Sequence, residues 1–381
     1  MTAKKILLPS KSKLELWVIP LFLFIFGILQ VFSASRFKGI ELKGNEYYFA
    51  IIHFFWVILG IIFMYGASLF KSDFYKKVST ILYYATVVAL VAVFFAPEVN
   101  GAHRWFPLFG DIGIQPSEFA KITLVLFGAY LIDKLGSKQY KTYAEHIQKF
   151  IIPVGIRIGI PLLLIILEPD LGTAVVIFVA FFFMYLMKQT KFLRQDLLLL
   201  ATVGIIGVIG FSLIESYRVD RIENYFHLLT TGEVADEFGS GYQLRNILIG
   251  VGSGGLWGKG IGQSIQRYGY LAEVTAFTDS ISAVVFEELG FVLSVIFLFV
   301  FVRYFLAIYN SAQNQKDSYS ALVLWGLLGL LVSQTFIHLS VNLALLPVKG
   351  IPLPFITYGG SSVLAVGLIA GMVTRFARSS A

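Results

Sequence analysis

The 381-residue chain contains no cysteine. That excludes a disulfide framework, a thiolate metal site and a thiol nucleophile. Charge is also scarce. Only 14% of residues are Asp, Glu, Lys or Arg, against about 25% in soluble globular proteins. The five histidines (53, 103, 146, 227 and 338) show no i, i+3 or i+4 pairing, which argues against a zinc site. The stretch GSGGLWGKG at 252–260 lacks the G-x-x-x-x-G-K-[ST] order and a preceding strand, so a nucleotide-binding phosphate loop is not expected. There is no repeat of fixed period and no low-complexity tail.

What fills the sequence instead is apolar surface. Hydrophobic residues make up 57% of it, with 36 phenylalanines. Apolar runs of spanning length read as roughly 15–34, 48–70, 78–96, 117–133, 150–167, 171–187, 196–216, 279–308, 319–345 and 353–375. The expected fold is therefore all-α and polytopic: ten transmembrane helices forming a single membrane domain over 1–381. The net charge of +7 reads as topology rather than nucleic-acid binding. Lys4, Lys5, Lys11 and Lys13 precede the first span, and Lys71, Lys76, Lys77, Lys134, Lys138, Lys141, Lys149, Lys188, Lys191, Arg194, Lys316, Arg375 and Arg378 fall in alternate short loops. Both termini are then cytoplasmic. Arg36, Lys38 and Lys43, in the first outer loop, are the exception. The first span ends in Ser33-Ala34-Ser35, like a signal-peptidase site, but its apolar stretch exceeds a signal core and reads as an uncleaved helix.

The longest segment between spans, about 217–278, falls outside the membrane on this count. Within it, 244–251 is apolar but too short to cross, and reads as a re-entrant or interfacial helix. The glycines at 252, 254, 255, 258, 260 and 262 permit tight turns and suggest a segment that flexes as a gate.

Charges inside or beside spans are the candidate site residues, because they are costly in hydrocarbon. Asp279 follows Thr278 at the outer mouth of the eighth span. It is either a helix N-cap or a general base at the membrane–water boundary. Glu287 lies roughly 80° round and about 12 Å deeper on helical geometry, and Glu288 about 180° round. Glu287 fits a bundle or cavity lining, and Glu288 a brace between helices. Lys121 and Arg157 are cations among apolar neighbours, suited equally to ion pairs, snorkelling or an anion site. Arg104, Arg218, Arg221, Lys259, Arg267 and Lys349 gather on the outer face and together suit an anionic, phosphate-bearing ligand. In LEPDLGT, Glu168 and Asp170 flank a turn, with a cation or sugar contact as the costlier reading.

Nine stretches, in order, resemble the SEDS family (shape, elongation, division and sporulation), bacterial membrane-embedded glycan polymerases. They are VFSAS (31–35), NGAHRWF (100–106), IQPSEFAK (114–121), EPDLGT (168–173), YRVDRI (217–222), GSGYQ (239–243), GSGGLWGKGIGQSIQRYGYL (252–271), TDSISAVVFEELGF (278–291) and LLPVKGIPLPFITYGGSS (345–362). GKGIGQSIQRYGYL and KGIPLPFITYGGSS look more like the division branch, FtsW, than the elongation branch, RodA. The resemblance implies ten spans and polymerisation of lipid II on the outer face of the cytoplasmic membrane, with undecaprenyl pyrophosphate released. It also implies a class B penicillin-binding protein as partner, among other division or elongation proteins, and Asp279 as the catalytic residue. The matching motifs bring Gln243 and Ser361 into the substrate-binding set, alongside Arg104, Lys121, Arg218, Arg221, Lys259, Glu287 and Lys349. A divalent cation, Mg or Mn, could assist. The chain departs from the family pattern over 272–280, where Ala272 replaces a Pro, Phe277 a His and Ser280 a Phe, and two residues are added. His338 stands where an Asn is common. A lipid II flippase and an inactive division scaffold remain as the other readings.

Overall fold

The computed structural model describes residues 11–378 except 100, 110–111, 189, 213–215, 237–240 and 269–274. Helices dominate: α1 (Lys11–Lys43), α2 (Tyr48–Leu69), α3 (Ser72–Ala92), α4 (Pro116–Gly136), α5 (Tyr143–His146), α6 (Ile152–Leu167), α7 (Leu171–Met187) and α8 (Leu193–Ser212). There follow α9 (Ser216–Thr231), α10 (Tyr242–Ser253), α11 (Ile281–Gln313), α12 (Ser318–Asn342) and α13 (Gly360–Arg378). A two-stranded antiparallel hairpin, β1 (Phe106–Phe109) and β2 (Ile112–Ile114), precedes α4, with Phe106 opposite Ile114.

Among the described residues, eight helices are long and apolar enough to cross a membrane. Of the other expected spans, α7 is apolar but 17 residues long, and α4 carries Glu118, Lys121, Asp133 and Lys134. The last expected span, 353–375, starts too early. Residues 353–359 form a non-helical segment and α13 begins at Gly360. Pro352 and Pro354 disfavour helix there. Within the long segment at about 217–278, residues Ser216–Thr231 form the helix α9, and the expected short apolar helix is present as α10.

In a bilayer, packing rather than water exclusion holds helices together, so small residues set close approaches. α13 lies against α2 in this way. A Cβ on Gly367 would sit 2.3 Å from the carbonyl oxygen of Gly60, and one on Gly371 would sit 2.1 Å from that of Met64. α12 meets α7 at Gly329, where a Cβ would come within 2.8 Å of the Ala180 Cα. α12 and α13 are mostly buried and α4 forms the core beside them. α8 stands at the rim, almost wholly exposed.

α11 is broken at Gly290, where φ is 69° and ψ −178°. A break deprives nearby backbone groups of helical partners, and in lipid each unpaired group costs several kcal/mol. The 254–260 segment repairs it. Lys259 N–H donates to the Glu287 carbonyl and Gly260 N–H to that of Glu288, both at 3.0 Å. In return Phe291 and Val292 donate to the carbonyls of Gly255 (2.9 Å) and Leu256 (3.1 Å). The approach tolerates no side chain: a Cβ on Gly258 would lie 2.2 Å from the Glu288 carbonyl oxygen. Gly254 and Gly258 therefore serve contact, Gly255 and Gly260 hold positive φ with no neighbour closer than 3.9 Å, and four backbone bonds splice the segment expected to act as a gate onto α11.

Candidate functional site

Asp279 sits in a turn, Thr275–Ser280, just before α11. The N–H groups of Thr278 and Ser280 both donate to the Thr275 carbonyl, at 3.1 and 3.0 Å. The hydroxyls of Thr275 and Ser280 lie 3.1 Å apart. Gln243 of α10 donates to both of them at 3.2 Å, which ties α10 to the turn that carries Asp279. Ser280 is the N-cap of α11, and its side chain makes no capping hydrogen bond. The N-cap reading of Asp279 is thereby removed: its carboxylate makes no hydrogen bond among the described residues.

Burial pushes the Asp279 carboxyl up to about 6, with Arg221 pulling it down, Asp170 pushing it further up and Arg104 again opposing. Those three charges define the site. Arg221, on α9, donates to the Val348 carbonyl at 3.3 Å. Arg104 reaches the α6–α7 turn, where Nε donates to the Glu168 carbonyl at 2.6 Å and Nη2 to that of Pro169 at 2.9 Å. Asp170 caps α7 by accepting from Thr173 N–H at 3.1 Å, and accepts from Gln115 and Ser117 at 3.3 Å. The turn reading of EPDLGT holds. Glu168 beside it is buried, with no partner for either carboxyl oxygen among the described residues. That burial, with the Asp170 charge, lifts it to about 8 against the pull of Arg104. Burial thus favours the protonated form at Glu168 more strongly than at Asp279.

The segment after α12 crosses the same space. A Cβ on Gly350 would lie 2.8 Å from Asp279 Oδ2. Lys349, next to it, runs over the start of α7, its Cε 3.5 Å from where a Gly172 Cβ would be. Asp279, Arg104, Arg221 and Lys349 are thus gathered at one end of the bundle.

The remaining sequence candidates are engaged elsewhere. Lys121 is buried in an ion pair with Glu118 (2.9 Å) and donates to Gln334 of α12 at 3.2 Å. Lys259 pairs with Glu287 at 2.6 Å and donates to Ser253 at 2.9 Å. Glu287 also accepts from Ser253 (2.8 Å) and Ser264 (2.5 Å), so it is buried in the bundle, as expected, and holds the splice. Glu288 accepts from the Ser33 hydroxyl of α1 and from Gly262 N–H at 3.0 Å, the brace expected of it. Ser361 accepts from Gln115 N–H at 3.0 Å and ties α13 to the hairpin. Arg157 is exposed and donates to the Pro153 carbonyl on its own helix at 2.9 Å. Arg267 is buried, with its guanidinium 4.7 Å from the Tyr268 ring centre. The side chain of Arg218 lies outside the described residues. Sequence reasoning missed Gly350 and Asn342. The signal for Asn342 was a lone Asn one turn after His338 at the end of an apolar run.

No three His, Asp or Glu side chains converge on a metal position among the described residues.

The long apolar helices and their packing define an integral membrane protein. The family model FTSW_RODA_SPOVE, described as "Cell cycle protein", matches residues 13–381, and the chain belongs to that family. It is 34% identical over 358 residues to the probable peptidoglycan glycosyltransferase FtsW of Alcanivorax borkumensis, covering 92% of this chain and 89% of that one. The protein of the same name from Coxiella burnetii is 32% identical over 371 residues, with 95% and 96% covered. The fold is similar to a chain from a peptidoglycan synthase complex that coordinates polymerization and crosslinking (TM-score 0.73, 22% identity, 96% and 97% covered). It also resembles the rod shape determining protein RodA of Thermus thermophilus (TM-score 0.65, 23% identity, 95% of each chain).

Proposed function

We propose that this chain is a peptidoglycan glycosyltransferase that polymerises lipid II on the outer face of the cytoplasmic membrane. The observation that carries the reading is Asp279: a half-buried carboxylate without a hydrogen bond among the described residues, near the charges of Arg104 and Arg221 at the end of the bundle. The 4-hydroxyl of an acceptor N-acetylglucosamine attacks C1 of a donor N-acetylmuramic acid. The C1–O bond breaks, undecaprenyl pyrophosphate leaves, and Asp279 takes the hydroxyl proton. A base of pKa near 6 is charged at neutral pH yet basic enough to accept it. Negative charge builds on the pyrophosphate as it departs. Arg104 uses two of its N–H donors on carbonyls and has others for phosphate oxygens. Arg221 and Lys349 complete the cationic side. A single displacement with one base inverts the anomeric carbon.

Lipid II brings a polyprenyl tail that must stay in hydrocarbon. A groove of about 570 Å3 between α6, α7 and α8, lined by Leu162, Leu171, Phe178, Phe182 and Val208 among others, is almost wholly apolar. It begins one residue from Asp170. This arrangement joins a wet, charged head site to a dry tail site. The Lys and Arg pattern supports ten spans with both termini cytoplasmic, which puts the head site outside.

The division role, and deployment at the septum, follow from the FtsW names of the relatives at 32–34% identity. A class B penicillin-binding protein is the partner that a coupled polymerase and crosslinker requires. A flippase needs charges available at mid-membrane depth, but Lys121 and Glu287 are committed to ion pairs. The test is glycan polymerisation from labelled lipid II by the purified protein, alone and with a class B partner. Long products in either condition support the proposal. Their absence in both, with divalent cation supplied, overturns it.

A further inference from the structure

We infer that His338 and Asn342, one turn apart on α12, are positioning residues that hold Asp279 and the Gly350 segment at a fixed separation. The inference rests on the polymerase reading and deepens it. Asn342 Nδ2 donates to the backbone carbonyl of Asp279 at 3.0 Å and to the His338 carbonyl, also at 3.0 Å. The amide thus ties the turn carrying the carboxylate to the end of α12. One helical turn earlier, His338 Nδ1 lies 2.6 Å from the Ile351 carbonyl. A carbonyl only accepts, so the proton is on Nδ1. That bond fixes Ile351, and with it Gly350, whose position leaves no slack: a Cβ there would stand 2.8 Å from Asp279 Oδ2 and 3.2 Å from its Cγ. The same two turns of one helix therefore grip both walls around the carboxylate.

Packing alone does not account for these residues. Both are buried, and each leaves a polar atom without a partner among the described residues, Nε2 of His338 and Oδ1 of Asn342. Burying such atoms is unfavourable, and an aliphatic side chain would fill the same volume without that penalty. What the aliphatic chain would not supply is the two bonds to the walls. Neither residue hydrogen-bonds to the carboxylate itself, so both act through backbone.

The test measures kcat and KM for polymerisation of synthetic labelled lipid II by the full chain. His338→Leu and Asn342→Leu release one wall each. A displacement of about 1 Å is worth on the order of 100-fold, and the loss is expected in kcat, with KM unchanged. His338→Asn carries its amide nitrogen where Nδ1 lies and restores most of the rate. His338→Gln is equally polar but reaches toward the Nε2 position, and falls with His338→Leu. If the leucine variants do not fold, the Asn/Gln pair at 338 decides. Equal rates for that pair, or a loss confined to KM, overturn the inference. Asp279→Asn run alongside separates the failures. An active Asp279→Asn sinks the catalytic reading itself. An inactive one with equal 338 variants sinks only the positioning role.

Discussion

Replacing Asp279 by Asn is expected to stabilise the fold while it removes activity. Burial lifts the carboxyl from 3.8 to about 6, so the folded state holds its proton more tightly than the unfolded chain. The sign follows from linkage. Below pH 4 both states are protonated and this group contributes its full stability. As pH rises through 6, the folded protein must carry a partly desolvated charge, and that contribution is lost. The rise of about two units, discounted for partial exposure, is worth on the order of 2–3 kcal/mol at pH 8. The attraction of Arg221 and Arg104 and the repulsion of Asp170 are already contained in the net shift. Asn carries no charge and escapes the penalty. Thermal unfolding of the detergent-solubilised protein, at pH 5 to 8, measures the difference. The variant's unfolding midpoint lies above that of the wild type at pH 8, and the gap closes as pH falls below 6. A variant less stable at pH 8, or a gap independent of pH, refutes the reasoning. Such strain at a functional site is a known trade of stability for activity.

Other consequences follow from the same geometry. Gly258→Ala places a Cβ 2.2 Å from the Glu288 carbonyl oxygen at a φ of 78°. Left-handed strain of about 1–2 kcal/mol, with two hydrogen bonds weakened by about 1 kcal/mol each, predicts a loss of roughly 3–4 kcal/mol. Gly155→Ala, in an open stretch of α6, gains about 0.5–1 kcal/mol by helix propensity. Comparing the two by thermal unfolding checks whether Gly258 serves contact. Lys121→Met strands buried Glu118 and costs about 3–5 kcal/mol, most of it recovered in Lys121→Met with Glu118→Gln. A double mutant no better than the single would deny the ion pair its role. The polymerisation rate falls on the acid side with a midpoint near pH 6, as Asp279 takes up its proton. An acid limb near pH 4 would place the base in bulk water.

Much of the membrane architecture was legible because apolar length is a direct physical requirement of the bilayer. The segment 171–187 needed only its Asp170 cap and its apolar run. The break at Gly290 was not legible. The pattern of 281–313 continues apolar across it, and the groups that repair the break come from 254–260, remote in sequence. The same remoteness hid the use of those glycines, since a glycine read alone signals freedom whether it flexes or admits a neighbour. Lys259 and Glu287 looked like ligand contacts until the splice brought them together. Asp279 was a candidate from its place at a span mouth, but choosing it over an N-cap required either the family motif or the sight of Ser280 in the cap position. Gly350 could not be found by local pattern, because its significance is a distance to a residue 71 positions earlier.

The most direct test of the central claim compares wild type and Asp279→Asn in polymerisation of labelled lipid II at pH 7.5, using protein shown by its unfolding curve to be intact. Loss of a general base lowers the rate by about 100- to 10,000-fold, and the account predicts a loss in that range. A folded Asp279→Asn that polymerises at the wild-type rate contradicts it.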